Sequence, residues 1–228
     1  MSTHNFYSSI LGSVIGTILT HPLDTLKTNF QVSKYSLLKT FNDFNKQNKG
    51  KLIKNYYRGL KLPLLAIPLE KGFVFNLDNY LYDKYNNRFL SGSISGVNAG
   101  ILVNIIENIK LNQQIKRNIK NISKVSLLTK GLPLTMFREG LGYGIYFYSY
   151  HNYYHKSLNS FLAGGLSGLT AWVLIYPFDR IKTLIQTGHK MNIQWNTLYH
   201  GSSISFIRAF LFHGLVFQLY ESFNLYLI

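Results

Sequence analysis

Three times along this chain an acid stands three residues before a lysine, and a glutamine follows four residues later. The units are Asp24, Lys27 and Gln31; Glu107, Lys110 and Gln114; and Asp179, Lys182 and Gln186. An acid and a base three apart share one face of a helix, so both charges of a unit can point the same way. Three such units turned toward a common axis can form a ring of alternating charge. The chemistry of such a ring is ion pairing between helices. Pro22 and Pro177 precede the acid by two residues in the outer units, and Ile105 holds that place in the middle one. Proline inside a helix removes a hydrogen bond and bends the axis, so two of the three helices are expected to swing inward at their charges.

A second element recurs in phase with the first. Tyr57-Arg58-Gly59, Thr129-Lys130-Gly131 and Tyr199-His200-Gly201 follow the three units in turn, and sixteen residues past each glycine stands Phe75, Phe147 or Phe217. Seven residues past the glycines are Ala66, Arg138 and Arg208, followed by Ile67, Glu139 and Ala209. Arginine presents a rigid fork suited to carboxylate or phosphate, so Arg138 and Arg208 can each grip an anion. Lys71, Tyr143, Tyr146 and His213 lie within one to two turns and can add charge or stacking. At this level Ala66 and Ile67 offer no acid.

The elements that must position these residues are six segments, mostly apolar, at about 5–32, 60–85, 90–117, 131–154, 158–187 and 202–227. Each is long enough to cross a bilayer, yet each carries regularly placed polar residues. The first, third and fifth hold small residues four apart, as in Gly12 and Gly16 or Gly92, Gly96 and Gly100, which let helix backbones approach closely. Hydropathy alone leaves amphipathic core helices of a soluble domain and membrane helices around a polar cavity both open. Composition narrows the choice. Of 228 residues only 14% are charged and 46% are hydrophobic, yet the net charge is +15. That combination suits a nucleic-acid binder or a membrane protein. With no cysteine, disulfide frameworks and cysteine-ligated metals are excluded. The opening residues Met1 to Phe6 contain no basic run, so entry into a membrane is expected on internal signals.

The triplicated acid-lysine-glutamine unit, each copy followed by a basic or aromatic glycine turn and another long segment, resembles the mitochondrial carrier family. The resemblance spans nearly the whole chain. It implies an all-α membrane protein in which residues 1–228 form one domain, with repeats at about 5–86, 87–156 and 157–228 and six transmembrane helices in a pseudo-threefold barrel. It implies a multi-pass protein of the mitochondrial inner membrane, acting as a monomer by alternating access, commonly as an exchanger, without cofactor or metal. By the same resemblance Asp24 pairs with Lys110, Glu107 with Lys182, and Asp179 with Lys27 to close the matrix end, while Gln31, Gln114 and Gln186 brace those pairs. Arg58, Gly59, Lys130, Gly131 and Gly201 correspond to the turns that hold cardiolipin. Both termini are expected on the cytosolic side. The family's cytosolic ring is incompletely written: Tyr220-Glu221 is followed by Asn224, while Tyr150-His151 with Tyr154 and Asn79 with Tyr82 occupy the other two positions. Either bonds among tyrosines take its place or the state open to the cytosol dominates at rest. The repeats are shorter than the family's usual length, and with the Asn-, Ile-, Lys- and Tyr-heavy composition this is similar to the compact carriers of giant viruses, whose site of action would be the host mitochondrion.

The resemblance implies that substrate is read at the level of Ala66-Ile67, Arg138-Glu139 and Arg208-Ala209, which makes Arg138, Glu139 and Arg208 the leading candidates for ligand contact. On substrate class these residues divide. Arg138-Glu139 resembles amino-acid and carnitine-type carriers. Arg138 and Arg208 with Lys71 and tyrosines, and no acid beside Ala66 and Ile67, suit a phosphorylated aromatic ligand, so a nucleotide or deoxynucleotide is the favoured expectation. A nucleic-acid binder has no use for a triplicated acid-lysine unit, and the lysines of residues 34–54 and 116–124 suit an anionic lipid surface instead. No catalytic or metal-ligand spacing is present to support an enzyme.

Overall fold

In the computed structural model, residues 3–32, 41–43, 45–46, 50–57, 59–114, 129–154, 156–187, 198–199 and 202–226 are described. Six long helices carry the fold: α1 (Thr3–Val32), α2 (Lys61–Tyr85), α3 (Arg88–Gln114), α4 (Leu132–Ser149), α5 (Ser160–Thr187) and α6 (Ser202–Tyr226). They match the six apolar segments within a few residues. A short helix, Leu52–Tyr56, lies between α1 and α2, and α4 runs on through a wider π turn over Tyr150–Tyr154. Residues 115–117, expected to extend the third segment, lie outside the described residues.

The helices form a closed ring. Each packs on its neighbours in sequence, and α6 returns to α1. The small residues draw the backbones together at particular seams. A methyl group on Gly92 would come within 2.7 Å of the Tyr143 carbonyl oxygen, and one on Gly100 within 2.8 Å of the Met136 Cα, so α3 and α4 touch backbone to backbone. Gly164 on α5 lies equally close to the His213 carbonyl of α6, at 2.7 Å, and Gly12 on α1 comes to 3.0 Å from that of Val216. Any side chain larger than hydrogen would force these helices apart.

Polarity is distributed inside out. Ser9, Ser13, Thr20, Asn104, Arg138 and Lys182 are buried in the interior, whereas Leu19, Leu65, Leu69, Leu102, Phe137, Leu174 and Ile207 stand exposed on the outside of all six helices. A soluble domain would reverse this, because apolar burial in the core is its main stabilising term. An apolar exterior is stable only against lipid. Three helices, within Arg88–Asn108, Ser160–Lys182 and Ser202–Phe223, are long and apolar enough to cross a membrane on composition alone. Several hydroxyls buried along the odd helices return hydrogen bonds to their own backbone, as Ser13 does to the Ser9 carbonyl at 2.7 Å, Thr20 to Gly16 at 2.8 Å and Ser167 to Ala163 at 2.6 Å. Ser13, Thr20 and Ser167 thus interrupt the apolar sequence with their hydroxyls satisfied, whereas the buried Ser8 and Thr17 hydroxyls have no hydrogen-bond partner among the described residues.

The recurring glycines before the even helices have a conformational cause. Gly59 and Gly131 adopt φ of +83° and +77°, a region that L side chains enter only with strain. Asn108 Nδ2 donates to the Lys130 carbonyl at 3.0 Å and ties the second of these turns to α3.

Candidate functional site

The phenylalanines that recur sixteen residues past each glycine meet inside the ring. Phe75 lies 5.2 Å from Phe147 and 5.3 Å from Phe217, centroid to centroid. Tyr146 and Tyr150 complete this aromatic layer, with Tyr150 stacked face to face on Phe217. Three positions equivalent in the sequence thus converge on one interior layer.

Arg138 is the hub of the charged residues. It is 5% exposed and reaches three carboxylates from three helices: Asp179 of α5 at 2.8 Å, Glu107 of α3 at 3.2 Å, and its own neighbour Glu139. Glu107 also pairs with the buried Lys182, joining α3 to α5. On the other side of the ring Arg208 of α6 pairs with Asp24 of α1. Charges at this depth are costly unless paired, and the pairing here is shared among helices rather than confined to one. All three signature acids are therefore held by the arginines expected to bind ligand, Glu107 and Asp179 by Arg138 and Asp24 by Arg208. The side chains of Lys27, Lys110, Gln31, Gln114 and Gln186 lie outside the described residues, as do Arg58 and Gly201, so the pairings Asp24–Lys110 and Asp179–Lys27 and the glutamine braces fall there too. Pro22 and Pro177 lie within α1 and α5, and Pro68 within α2.

A second polar cluster adjoins the first. The Tyr143 hydroxyl donates to Glu70 and accepts from Lys71 Nζ at 2.7 Å. Lys71 lies over the Tyr143 ring at 4.5 Å and reaches toward the Phe212 ring at 5.8 Å, whose other neighbour is the Arg208 guanidinium at 5.4 Å. Ala66 and Ile67 are half-buried one turn earlier on α2. The Tyr146 and His213 rings lie tilted against each other at 4.6 Å, and among the described residues neither the Tyr146 hydroxyl nor His213 Nδ1 has a hydrogen-bond partner.

Glu70 is the residue that sequence reasoning missed. Reading only the level of Ala66 and Ile67 left α2 without an acid, yet Glu70 lies four residues past Ala66 and so on the same helical face. That spacing was the available signal.

The opposite end of the ring is tied by largely uncharged partners. Asn79 Nδ2 donates to the Tyr220 hydroxyl at 3.2 Å, and Glu221 accepts from both Tyr150 and Ser160. Arg88 binds Asp78 at 3.0 Å and lies 3.5 Å above the Tyr82 ring.

A closed ring of six helices with a charged interior and an apolar exterior is the architecture of a transporter. The family model described as mitochondrial carrier protein matches residues 2–87 and 154–228. The chain belongs to the mitochondrial carrier family. It is a multi-pass protein of the mitochondrial inner membrane and a solute transporter. Among curated relatives, this carrier is 26% identical to the mitochondrial arginine transporter of Arabidopsis thaliana over 95% of its own length and 88% of the relative's. It is 24% identical to mitochondrial ornithine transporter 1 of Schizosaccharomyces pombe, covering 96% of the carrier and 91% of that protein. It is 25% identical to the mitochondrial carnitine carrier of Saccharomyces cerevisiae over 80% and 71% of the two chains.

Proposed function

We propose that the carrier moves a basic amino acid across the inner membrane by alternating access, in exchange for another small solute. The observation that carries this reading is the arrangement of two arginines and two acids in one interior: Arg138 and Arg208 on α4 and α6, Glu139 beside Arg138, and Glu70 on α2 bound through Tyr143. A free amino acid offers a carboxylate for the arginines and amines for the acids. The transport of arginine and ornithine named for two relatives supports the same class. The expectation of a nucleotide gives way to its amino-acid alternative, which the relatives' named substrates support. Glu70 supplies the acid on α2 whose absence counted against a basic amino acid.

In this reading the substrate carboxylate draws Arg138 and Arg208 away from Asp179 and Asp24. The released acids are then available to Lys27 and Lys110, with Glu107–Lys182 completing the matrix ring. The tyrosine-centred bonds of Asn79, Tyr150, Ser160, Tyr220 and Glu221 close the cytosolic end in place of the family's charged ring. The turns at Gly59 and Gly131, with Arg58, Lys130 and Gly201, seat an anionic lipid such as cardiolipin, where helix starts favour phosphate.

Proteoliposomes loaded with arginine test the assignment. Arginine, ornithine and lysine are expected to compete for uptake of labelled arginine, and Glu70→Gln and Glu139→Gln each to weaken it. Competition by ATP or dATP, without effect of either glutamate substitution, would return the nucleotide. Carnitine alone as an effective competitor would favour a substrate with a single fixed cation.

A further inference from the structure

Lys71 occupies an unusual place. It is 6% exposed, it follows Glu70 directly in the sequence, and it is joined to that carboxylate through one hydroxyl, since Tyr143 accepts from Lys71 at 2.7 Å while donating to Glu70. Its ammonium lies between two aromatic faces, 4.5 Å from the centre of Tyr143 and 5.8 Å from that of Phe212. An acid, a phenol and two ring faces make a seat for one cation, because ring quadrupoles and carboxylate both attract positive charge. In this structure the protein's own lysine fills it.

We propose that Lys71 is a tethered stand-in for the cationic group of the substrate, balancing Glu70 while the site is empty and competing with the substrate for the same seat when it is filled. The inference rests on the amino-acid reading above. An arriving amine or guanidinium cannot simply add to the seat, since two cations beside one carboxylate repel, so it displaces the Lys71 ammonium toward Tyr146 and His213, where the Tyr146 hydroxyl and His213 Nδ1 have no partner among the described residues. The tethered competitor weakens binding of cationic substrate and speeds its departure. A carrier gains from this, because affinity shared equally by every state of the cycle slows release without speeding exchange.

The experiment measures arginine/arginine exchange in proteoliposomes for wild type, Lys71→Gln and Lys71→Arg. A charge-assisted contact is worth about 1.5–3 kcal/mol, so removing the competitor is expected to lower the half-saturation concentration for arginine by roughly tenfold or more. The maximal rate should fall at the same time, and Lys71→Arg should stay near wild type. Thermal melting of the purified protein gives an independent arm. Lys71→Gln should melt below wild type, because it leaves Glu70 unbalanced, and Glu70→Gln added to it should restore part of the loss. Normal wild-type exchange with an unchanged or raised half-saturation in Lys71→Gln refutes the competition while sparing the substrate reading. A double variant no more stable than Lys71→Gln refutes the balance. A wild type that exchanges no cationic amino acid refutes the substrate reading, and the competition with it.

Discussion

Replacing Arg138 by glutamine puts the hub of the charged interior to the test. Its guanidinium serves Asp179 at 2.8 Å, Glu107 at 3.2 Å and Glu139 in direct contact, drawing on three helices. Removing it leaves three carboxylates turned toward one another, with the buried Lys182 their nearest described base through Glu107. Deleting one partner of a buried pair typically costs about 3–5 kcal/mol, mostly because the survivor stays charged without compensation. The acids here are partly open to the cavity, with side-chain exposures of 31%, 23% and 13% for Glu107, Asp179 and Glu139, so the lower end of that range applies. For a chain of this size about 3 kcal/mol corresponds to a melting temperature lower by roughly 6–12 °C. Thermal unfolding of the purified protein in detergent, followed by tryptophan fluorescence or a thiol-independent dye, reads this directly. If the loss comes from uncompensated acid, adding Glu139→Gln to Arg138→Gln should recover part of the stability but none of the uptake. Arg138→Lys should retain more stability than Arg138→Gln and still transport poorly, since a point charge cannot span three acceptors. Arg138→Gln melting like wild type would refute the hub, as would a double variant less stable than the single one.

Two further outcomes follow from the same geometry. Reversing the α1–α6 pair, as Asp24→Arg with Arg208→Asp, should recover the thermal stability lost in either single change but not the exchange, since Arg208 also meets the proposed substrate; a double reversal melting no higher than the worse single one would remove that pair from the resting state. Gly96→Leu should abolish folded protein in membranes, because even a methyl there would collide with the Glu139 carbonyl, and normal accumulation by size-exclusion chromatography would contradict the close approach of α3 and α4.

The long helices were legible in the sequence because membrane length, small-residue spacing and the threefold recurrence all pointed to the same six segments. The convergence of Phe75, Phe147 and Phe217 was legible for a related reason, since equal offsets from equivalent glycines give equal depth when repeats are arranged around an axis. Arg138, Glu139 and Arg208 were found by the same counting. What counting could not give was the choice of partner. Asp24 and Asp179 each take an arginine from a neighbouring even helix, and which base reaches a carboxylate is decided by reach and packing across the ring rather than by spacing along the chain. Glu70 was hidden by too strict a level. A site one turn deep includes residues four apart, and on α2 the chemistry moved down that turn, past Pro68. At the far end the missing bases left bonds among tyrosines as one expectation; that Glu221 would gather both Tyr150 and Ser160, and that Arg88 would bind Asp78, needed the fold.

The glycine seams divide the barrel unequally, whatever the symmetry of its sequence. Helices α3 and α4 meet backbone to backbone, and so do α5 with α6 and α6 with α1, as the close approaches of Gly92, Gly100, Gly164 and Gly12 require. Surfaces meshed that closely cannot slide without collision. Between α4 and α5 the closest approach of Gly142 is to an Ile175 side chain, and Gly72 of α2 likewise meets only the side chains of Phe6 and Ile10 on α1. Mechanically the wall therefore consists of two stiff panels, α3–α4 and α5–α6–α1, with α2 as a separate stave between them. The stave bears Glu70 and Lys71, so the proposed cation seat belongs to the one long helix whose glycine meets a neighbour's side chains, those of α1, rather than its backbone.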